Sequence, residues 1–426
     1  MSPSAVDRLV SELAAGFEAS FPQRLREPRL VGREAEYPLV REDGTAGDAM
    51  DLWEALVGGG RRPVREWPDG PLIGVQADRW SAVTEVGRGT LEVVIGPRRS
   101  LFELARDLDT ALAVVLPAAR RAGYRVLGYG IQPRTPPHPG LLAPKRRYPA
   151  LLRAIGPRWF RFAVTASDQI HVDVTRDELI PAFNVMNGLA GALIALTANS
   201  SVYGGRPGRY ASGREGLMRT TTAEPYRHGA VGRPLADVED YVRWAVGFRC
   251  LCLPGPRSGF RFPSGSYLDH ARRRPPDLDE FLFHEHYLWP SARPRARLGT
   301  LEIRPACQQP QADSWAPAAL ALGLSEELSE VRALVDRLPG DGWRALLAYR
   351  SRAVRDGIGA AEPAGGFLRS VLGLAEQGLK ARGHGEEDLL APLHERLAVR
   401  AGPADRARKL ARSGGAAALA AALALR

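Results

Sequence analysis

The chain has 426 residues, 45% hydrophobic and 25% charged, with a net charge of +10 at neutral pH. That length supports a large buried core and leaves room for more than one domain. The excess charge is carried by arginine, since Lys145, Lys380 and Lys409 are the only lysines. It is scattered and lacks the dense Lys/Arg block with interleaved aromatics of a nucleic-acid module, so a generally basic surface is expected and no nucleic-acid partner.

Cys250, Cys252 and Cys307 make no disulfide framework, and Cys250-x-Cys252 has no second ligand pair nearby, which argues against a zinc site. A reducing, cytoplasmic setting is expected. Asp7 and Glu12 stand where a signal peptide needs an apolar run. Leu179–Gly205 lacks charges and is long enough to span a membrane. Pro181, Asn184, Asn187, Asn199 and several glycines interrupt it, so it reads as a buried helix running into a loop, and no membrane partner is expected.

In chain order, Val6–Phe17 has apolar residues at helical spacing. Val31–Val40 (VGREAEYPLV) reads as a strand on which Glu34 and Glu36 point the same way. Two adjacent carboxylates repel each other and are costly to bury unless a divalent cation neutralises them. Asp43-Gly44 marks a turn. Asp51–Val57 is a short helix broken by Gly58–Gly60. Thr84–Pro97 reads as two strand pieces around Gly87 and Gly89, with Glu85 before the glycines and Glu92 facing away from Leu91 and Val93. Ser100-x-x-Glu103 is a capping box opening a helix that stops near Gly123, and Tyr124–Gly130 is a strand.

Thr135–Pro149, rich in proline and basic residues, is a loop. Phe162–Val174 alternates, with Gln169, His171 and Asp173 on one face, and Asp168 breaking the pattern on the other. The uncharged helix follows, then a polar loop over Ala198–Pro234, crowded with glycine and arginine. Asp237–Phe248 is helical, Gly255–Gly265 a loop, and Thr300–Pro305 a strand with Glu302 and Arg304 on one face. Helices are expected near Ala318–Leu338, Gly342–Arg355, Gly366–Lys380 and Glu386–Arg400, and the basic, Ala-rich tail Ala404–Arg426 reads as a loosely held helix.

Four separated strands thus repeat one design, apolar on one face and carrying carboxylate, imidazole or guanidinium groups on the other. An antiparallel sheet with helices on one side gives this pattern. A face that is merely wet favours Thr, Lys, Ser and Arg. Four glutamates and a histidine instead suit hard cations, and the Arg-rich loop offers donors that match phosphate. A metal–nucleotide site on a sheet is expected. No G-x-x-x-x-G-K-[ST] is present, so a P-loop does not hold the phosphates.

Several pieces, in this order, resemble the glutamate–cysteine ligase family of the plant and bacterial carboxylate–amine ligase type. They are Gly32-x-Glu34-x-Glu36; Thr84–Val93 with Glu85 and Glu92; Gln169-x-His171-Val172; Ala198-Asn199-Ser200-Ser201, then Gly205-Arg206 and Tyr210-x-Ser212-x-Arg214; and Glu302-x-Arg304 closing with Gln309-Pro310. The resemblance runs from about Val31 to Pro310. It implies an α+β fold like the catalytic half of glutamine synthetase, a curved antiparallel sheet with helices on its convex face. Residues 1–310 would form the catalytic sheet domain, 311–403 a helical segment packed on it, and 404–426 the tail.

The family reaction joins an acid, usually the γ-carboxylate of glutamate, to an amine through an acyl phosphate. It uses ATP and Mg²⁺, with more than one ion expected. Carried over residue by residue, Glu34, Glu36, Glu92, His171 and Glu302 would be metal ligands. Arg304 and Arg214 would contact phosphates or the acyl phosphate, and Asn199, Arg206, Tyr210 and Ser212 would line the substrate and nucleotide edge. Glu85 would bind the substrate amine or support the ligands from behind. His171 as a hydrogen-bonded sheet residue and Tyr210 as loop packing are the structural alternatives.

The chain departs from the family pattern at Cys307, where an acidic residue is common, and at Tyr37-Pro38, where an aliphatic run is usual. Both bear on the identity of the small-molecule acid and amine more than on the chemistry. They leave open a specialised ligase with another acid or amine. Two rivals to a ligase are a phosphotransferase on the related guanidino-kinase fold and a basic non-catalytic binding protein.

Overall fold

The computed structural model describes residues 4–272 and 274–426. Among the described residues nine strands form one sheet: β1 (Val31–Val40), β2 (Arg62–Arg65), β3 (Leu72–Gln76), β4 (Trp80–Thr84), β5 (Thr90–Arg98), β6 (Arg125–Val126), β7 (Ser167–Asp173), β8 (Ala292–Arg295) and β9 (Thr300–Cys307). The order is β8-β9-β7-β1-β5-β4-β3-β2, with β6 also on β1, and every pairing is antiparallel. Mixed helix and antiparallel sheet is the expected class.

The alternation read from the sequence sets the two faces. Ala35, Tyr37, Val93, Ile95, Ile170, Val172, Leu301 and Ile303 join one apolar core. Helices Leu101–Arg121, Arg176–Gly188, Ala190–Thr197 and Ala316–Glu326 pack against the sheet there. Asp168, the residue that broke the pattern, has a physical reason. It pairs diagonally across β1 and β7 with Arg33, whose direct partner is Ile170 while Asp168 lies opposite Ala35: Arg33 Nε donates to Asp168 Oδ1 at 2.6 Å and Nη2 to Oδ2 at 2.9 Å, with both side chains fully buried. The guanidinium also lies 4.4 Å from the Trp315 ring, and Nη2 donates to the Ser314 carbonyl. A bidentate pair of this kind is tolerated inside a core.

Several elements differ from expectation. Strands β2 and β3 went unread because they are short and one of them carries Pro63. The expected strand over Phe162–Val174 begins only at Ser167. Pro157–Val164 is instead a 3₁₀ helix, tied by tilted ring contacts of Phe162 with Trp159 and Trp289, at centroid distances of 4.5 and 5.0 Å. Only Arg125–Val126 of the Tyr124–Gly130 stretch pairs as a strand. Ser100 caps its helix through the Glu103 amide, but the Glu103 carboxylate accepts from the Arg99 amide rather than closing the box. The uncharged stretch is two helices bent by 50°, Arg176–Gly188 and Ala190–Thr197, and its residues are mostly buried in the fold. Among the described residues no single helix is long and apolar enough to cross a membrane.

The β4–β5 turn is fixed by glycine. A Cβ on Gly87 would sit 1.9 Å from the Ala163 carbonyl oxygen, so only glycine lets this turn close against the 3₁₀ helix. That contact sets where Glu85 and Glu92 leave the turn. At the chain's end, Pro403–Leu423 is a helix broken at Gly414-Gly415. It buries Leu419, Ala420 and Leu423, and the Leu425 amide donates to the Val126 carbonyl at 2.8 Å.

Candidate active site

Register places the polar residues in rows across the sheet. Gly32, His171, Glu302 and Arg293 lie opposite one another on β1, β7, β9 and β8. Two residues along β1, Glu34 lies opposite Gln169, and Glu36 opposite Glu92. Directly paired residues share a face. The face away from the helices therefore carries Glu34, Glu36, Glu92, Gln169, His171 and Glu302 together. Pro305 cannot donate to the ladder, and the β9–β7 register shifts between Ile303 and Ala306. At this bulge Arg304 reaches both Glu302 and Gln169.

One end of the face is rich in cationic groups. The ligand atoms of Glu34, His171 and Glu302 all lie within 4.8 Å of one another. His171 Nε2 is 3.1 Å from Glu34 Oε1, and its Nδ1 is 3.1 Å from the Thr300 hydroxyl. A tautomer with the proton on Nδ1 donates to Thr300 and presents the Nε2 lone pair towards Glu34, an arrangement that suits a cation between them. Burial pushes the Glu34 carboxyl up, but the neighbouring His171 draws it down further, and the net shift is downward. Glu302 is fully buried and met by three guanidiniums. Arg293 Nε donates at 2.7 Å, Arg295 Nη1 at 3.0 Å, and Arg304 Nη1 also donates. Burial opposes its charge, but Arg293, Arg304 and Arg295 together hold the carboxyl well below the usual range.

The other end is rich in carboxylates. Glu36 Oε2 accepts from the Ser167 amide at 2.6 Å and Oε1 from the Gln169 side chain at 2.7 Å. Burial, then the charge of Glu85, push Glu36 up to about 7, with Arg214 and the Ser167 bond pulling the other way. Glu92 rises well above the carboxylate range through burial and then through Glu85, Glu34 and Glu36, with Lys145 opposing. Gln169 joins the two ends, donating to Glu36 and accepting from Arg304.

Arg214 lies beyond this second end, in the helix Gly213–Met218, and Nη1 donates to Glu215 Oε1 at 2.6 Å. It acts electrostatically on both Glu36 and Arg304. The remaining expected residues hold the neighbouring loop. Asn199 donates to the Gly128 and Gln308 carbonyls at 3.0 and 2.8 Å. The Ser212 hydroxyl lies 3.5 Å from the Cys307 thiol. The Tyr210 ring fills the space over Gly216, where an added Cβ would meet it at 2.3 Å. Arg206 is exposed on the small hairpin of Val202–Tyr203 with Arg206–Pro207.

Several site residues were missed in the sequence. Arg293 and Arg295 sit two apart just ahead of the Glu302 strand, a period-two signal that was readable. Gln308, which donates to the Glu36 carbonyl at 3.0 Å, gave no such signal. Neither did Arg350, which bonds Glu215 from 135 residues away.

The family model for glutamate–cysteine ligase family 2 matches residues 30–422. The chain belongs to this ligase family. Among its relatives, the "putative glutamate–cysteine ligase 2" of Thermobifida fusca is 31% identical over 132 residues, 30% of this chain and 33% of that protein. The "putative glutamate–cysteine ligase 2-3" of Rubrobacter xylanophilus is 27% identical over 299 residues, 69% of this chain and 67% of that protein. The matched stretch therefore spans about a third of the first relative's length and two thirds of the second's. A crystal structure of glutamate–cysteine ligase from Francisella tularensis, in complex with AMP, superposes with a TM-score of 0.58 at 10% identity. It covers 95% of this chain and 88% of that one, so the fold is shared at long range. Against the family pattern, Cys307 is buried and its thiol lies 3.2 Å from the Ser200 hydroxyl.

Proposed function

We propose that this protein is an ATP- and Mg²⁺-dependent ligase that joins a carboxylic acid to an amine through an acyl phosphate. The acid is the γ-carboxylate of glutamate, and the acceptor is cysteine or another amine. The observation that carries this reading is the pairing of two unlike carboxylate clusters on one sheet face, in a chain of glutamate–cysteine ligase family 2. The fold in this reading is a curved, glutamine-synthetase-like sheet with helices on its convex side. Residues 1–310 form the catalytic domain, 311–403 pack on it, and 404–426 form the tail. The setting is cytoplasmic, and the partners are small molecules rather than nucleic acid or membrane.

The donor set fits hard divalent cations. Glu34, His171 and Glu302 converge, and Glu36 and Glu92 are carboxylates whose charge the fold leaves poorly compensated. These five residues would hold the ions. When bound, Mg²⁺ supplies charge neutralisation on the phosphate oxygens. Glu302 shares its oxygens with three arginines, so a guanidinium must yield an oxygen for it to ligate.

The chain's own contribution is position and charge. Arg304 and Arg214 face the phosphoryl oxygens as the acid's carboxylate oxygen attacks phosphorus and ADP leaves. Glu85 holds the substrate ammonium, and Asn199, Arg206, Tyr210 and Ser212 border the substrate and nucleotide. The amine then attacks the acyl carbon, phosphate departs, and the amine loses its proton. Cys307 in place of an acidic residue favours a narrower second reading, with the same chemistry on a different acid or amine.

The test is ADP and phosphate release from MgATP with glutamate, with and without cysteine, then with other acids and amines, followed by mass spectrometry of the product. Release requiring both glutamate and cysteine gives the dipeptide ligase. Release requiring another pair keeps the chemistry and reassigns the substrates. Release without any amine favours a phosphotransferase, and no release with any pair counts against an enzyme of this type.

A further inference from the structure

Arg214 is held from the C-terminal helical part of the chain. The helix Gly342–Asp356 ends with carbonyls that have no partner within the helix. Two of them accept from the loop before Arg214: the Ala211 amide donates to the Arg355 carbonyl at 2.9 Å and the Ser212 amide to the Val354 carbonyl at 3.1 Å. The same helix sends Arg350 inward. Arg350 Nη2 donates to Glu215 Oε2, while Arg214 Nη1 occupies Glu215 Oε1. Glu215 is thus clamped between two guanidiniums, and Arg214, Glu215 and Arg350 are 2%, 2% and 5% exposed. The space for Arg350 is cut by Gly229, where an added Cβ would lie 2.2 Å from Arg350 Nη2. Arg214 Nε stays buried with no partner among the described residues, so one edge of its guanidinium is uncommitted.

Two like charges are not buried side by side without a shared counter-charge. Nor does one carboxylate need two arginines for neutrality. The second guanidinium fixes the carboxylate's orientation, and the carboxylate then fixes Arg214. We propose that Arg350 is a positioning residue for the reaction. Through Glu215 it holds Arg214 against the Glu36 end of the carboxylate face, so that the helix Gly342–Asp356 is part of the catalytic apparatus. This rests on the ligase reading above for its activity arm only.

The test compares Arg350→Gln, Arg350→Lys and Glu215→Gln with the wild type, each checked by circular dichroism and thermal midpoint. Arg350→Lys keeps the charge beside Gly229 but loses the planar fork, and it serves if Arg350→Gln does not fold. With an acid–amine pair that supports wild-type turnover, each folded variant is expected to lose kcat by about 10- to 100-fold. KM for ATP should stay within about threefold, since positioning acts on the transition state. In an Arg214→Ala background, Arg350→Lys should change kcat by less than about twofold, because residues acting through one group are not additive. Losses that multiply, or a folded Arg350→Lys with unchanged kcat, would overturn the proposal. A crystal structure of Arg350→Lys reads Arg214 without turnover. The expected result is a displaced guanidinium, and an unmoved one overturns the relay. Inactivity of the wild type with every pair would sink the ligase reading instead, and the crystallographic arm would still decide the relay.

Discussion

The two ends of the carboxylate face are built alike and behave oppositely. At the Glu302 end each buried negative charge meets arginine or histidine, and the carboxyls are held below their ordinary range. At the Glu36–Glu92 end the neighbours are other carboxylates, and the carboxyls are driven up. The difference comes from what stands beside each row: Arg293 and Arg295 on the edge strand, against Glu85 at the β4–β5 turn. A fold that keeps uncompensated carboxylates together gives up stability in the free protein. A cation bound there, as proposed, would recover that stability. The first end carries its counter-charges within the chain, and the second does not.

The largest expected effect comes from breaking the compensated end. Glu302→Gln should lower ATP turnover by about a thousandfold or more. It also leaves the buried Arg293 and the partly buried Arg295 and Arg304 short of their partner, a loss of about 3–5 kcal/mol in unfolding free energy. Steady-state ADP release and denaturant titration read the two effects. Wild-type turnover in a folded variant would remove Glu302 from the site.

Next is Arg214→Ala, which removes a charge that the proposed reaction would use as phosphate oxygens become more negative. It should lower kcat by about a hundredfold with ATP affinity within about threefold. Calorimetric ATP titration beside kinetics separates the two, and a loss confined to affinity would make Arg214 a binding residue only.

Glu92→Gln sharpens the comparison from the other end. Relief of repulsion should raise the Mg²⁺-free protein's stability by about 1 kcal/mol or more. Turnover should fall and stabilisation by added Mg²⁺ should shrink. A variant less stable than wild type without Mg²⁺ would mean the carboxylate was compensated after all.

The last prediction is a slope with pH. Glu36 is raised from 4.5 to about 7, so over that window the folded state retains a proton that the unfolded state has released. Mg²⁺-free stability should therefore decline as pH rises from about 4.5 to about 7, and Mg²⁺ should flatten the decline. Glu302 has the opposite sign. Its contribution is present above the ordinary carboxyl value and is lost only as pH falls through its depressed value, so it adds little slope in that window. Denaturation midpoints from pH 5 to pH 8, with and without Mg²⁺, check both.

Much of this face was legible because a strand writes its geometry into every second residue. Glu34 with Glu36, Gln169 with His171, and Glu302 with Arg304 each revealed a face locally, and Val31–Val40 is a strand at the residues read. What was not legible lies in pairings across long separations. Asp168 looks like a fault in the alternation until Arg33 reaches it diagonally from the neighbouring strand. Which carboxylates gain cations depends on the neighbouring strand and turn, and no period within one strand carries that information. Arg350 is one of many arginines on a helix, and only the packed structure singles it out.

The central claim is that the acid's own oxygen attacks phosphorus. The direct measurement is to supply the acid substrate with ¹⁸O in its reacting carboxylate, with MgATP and the amine, and to weigh the released phosphate. The account predicts one ¹⁸O in inorganic phosphate for each amide formed, with ADP as the other product. Label appearing in AMP, or phosphate released without label, would contradict it.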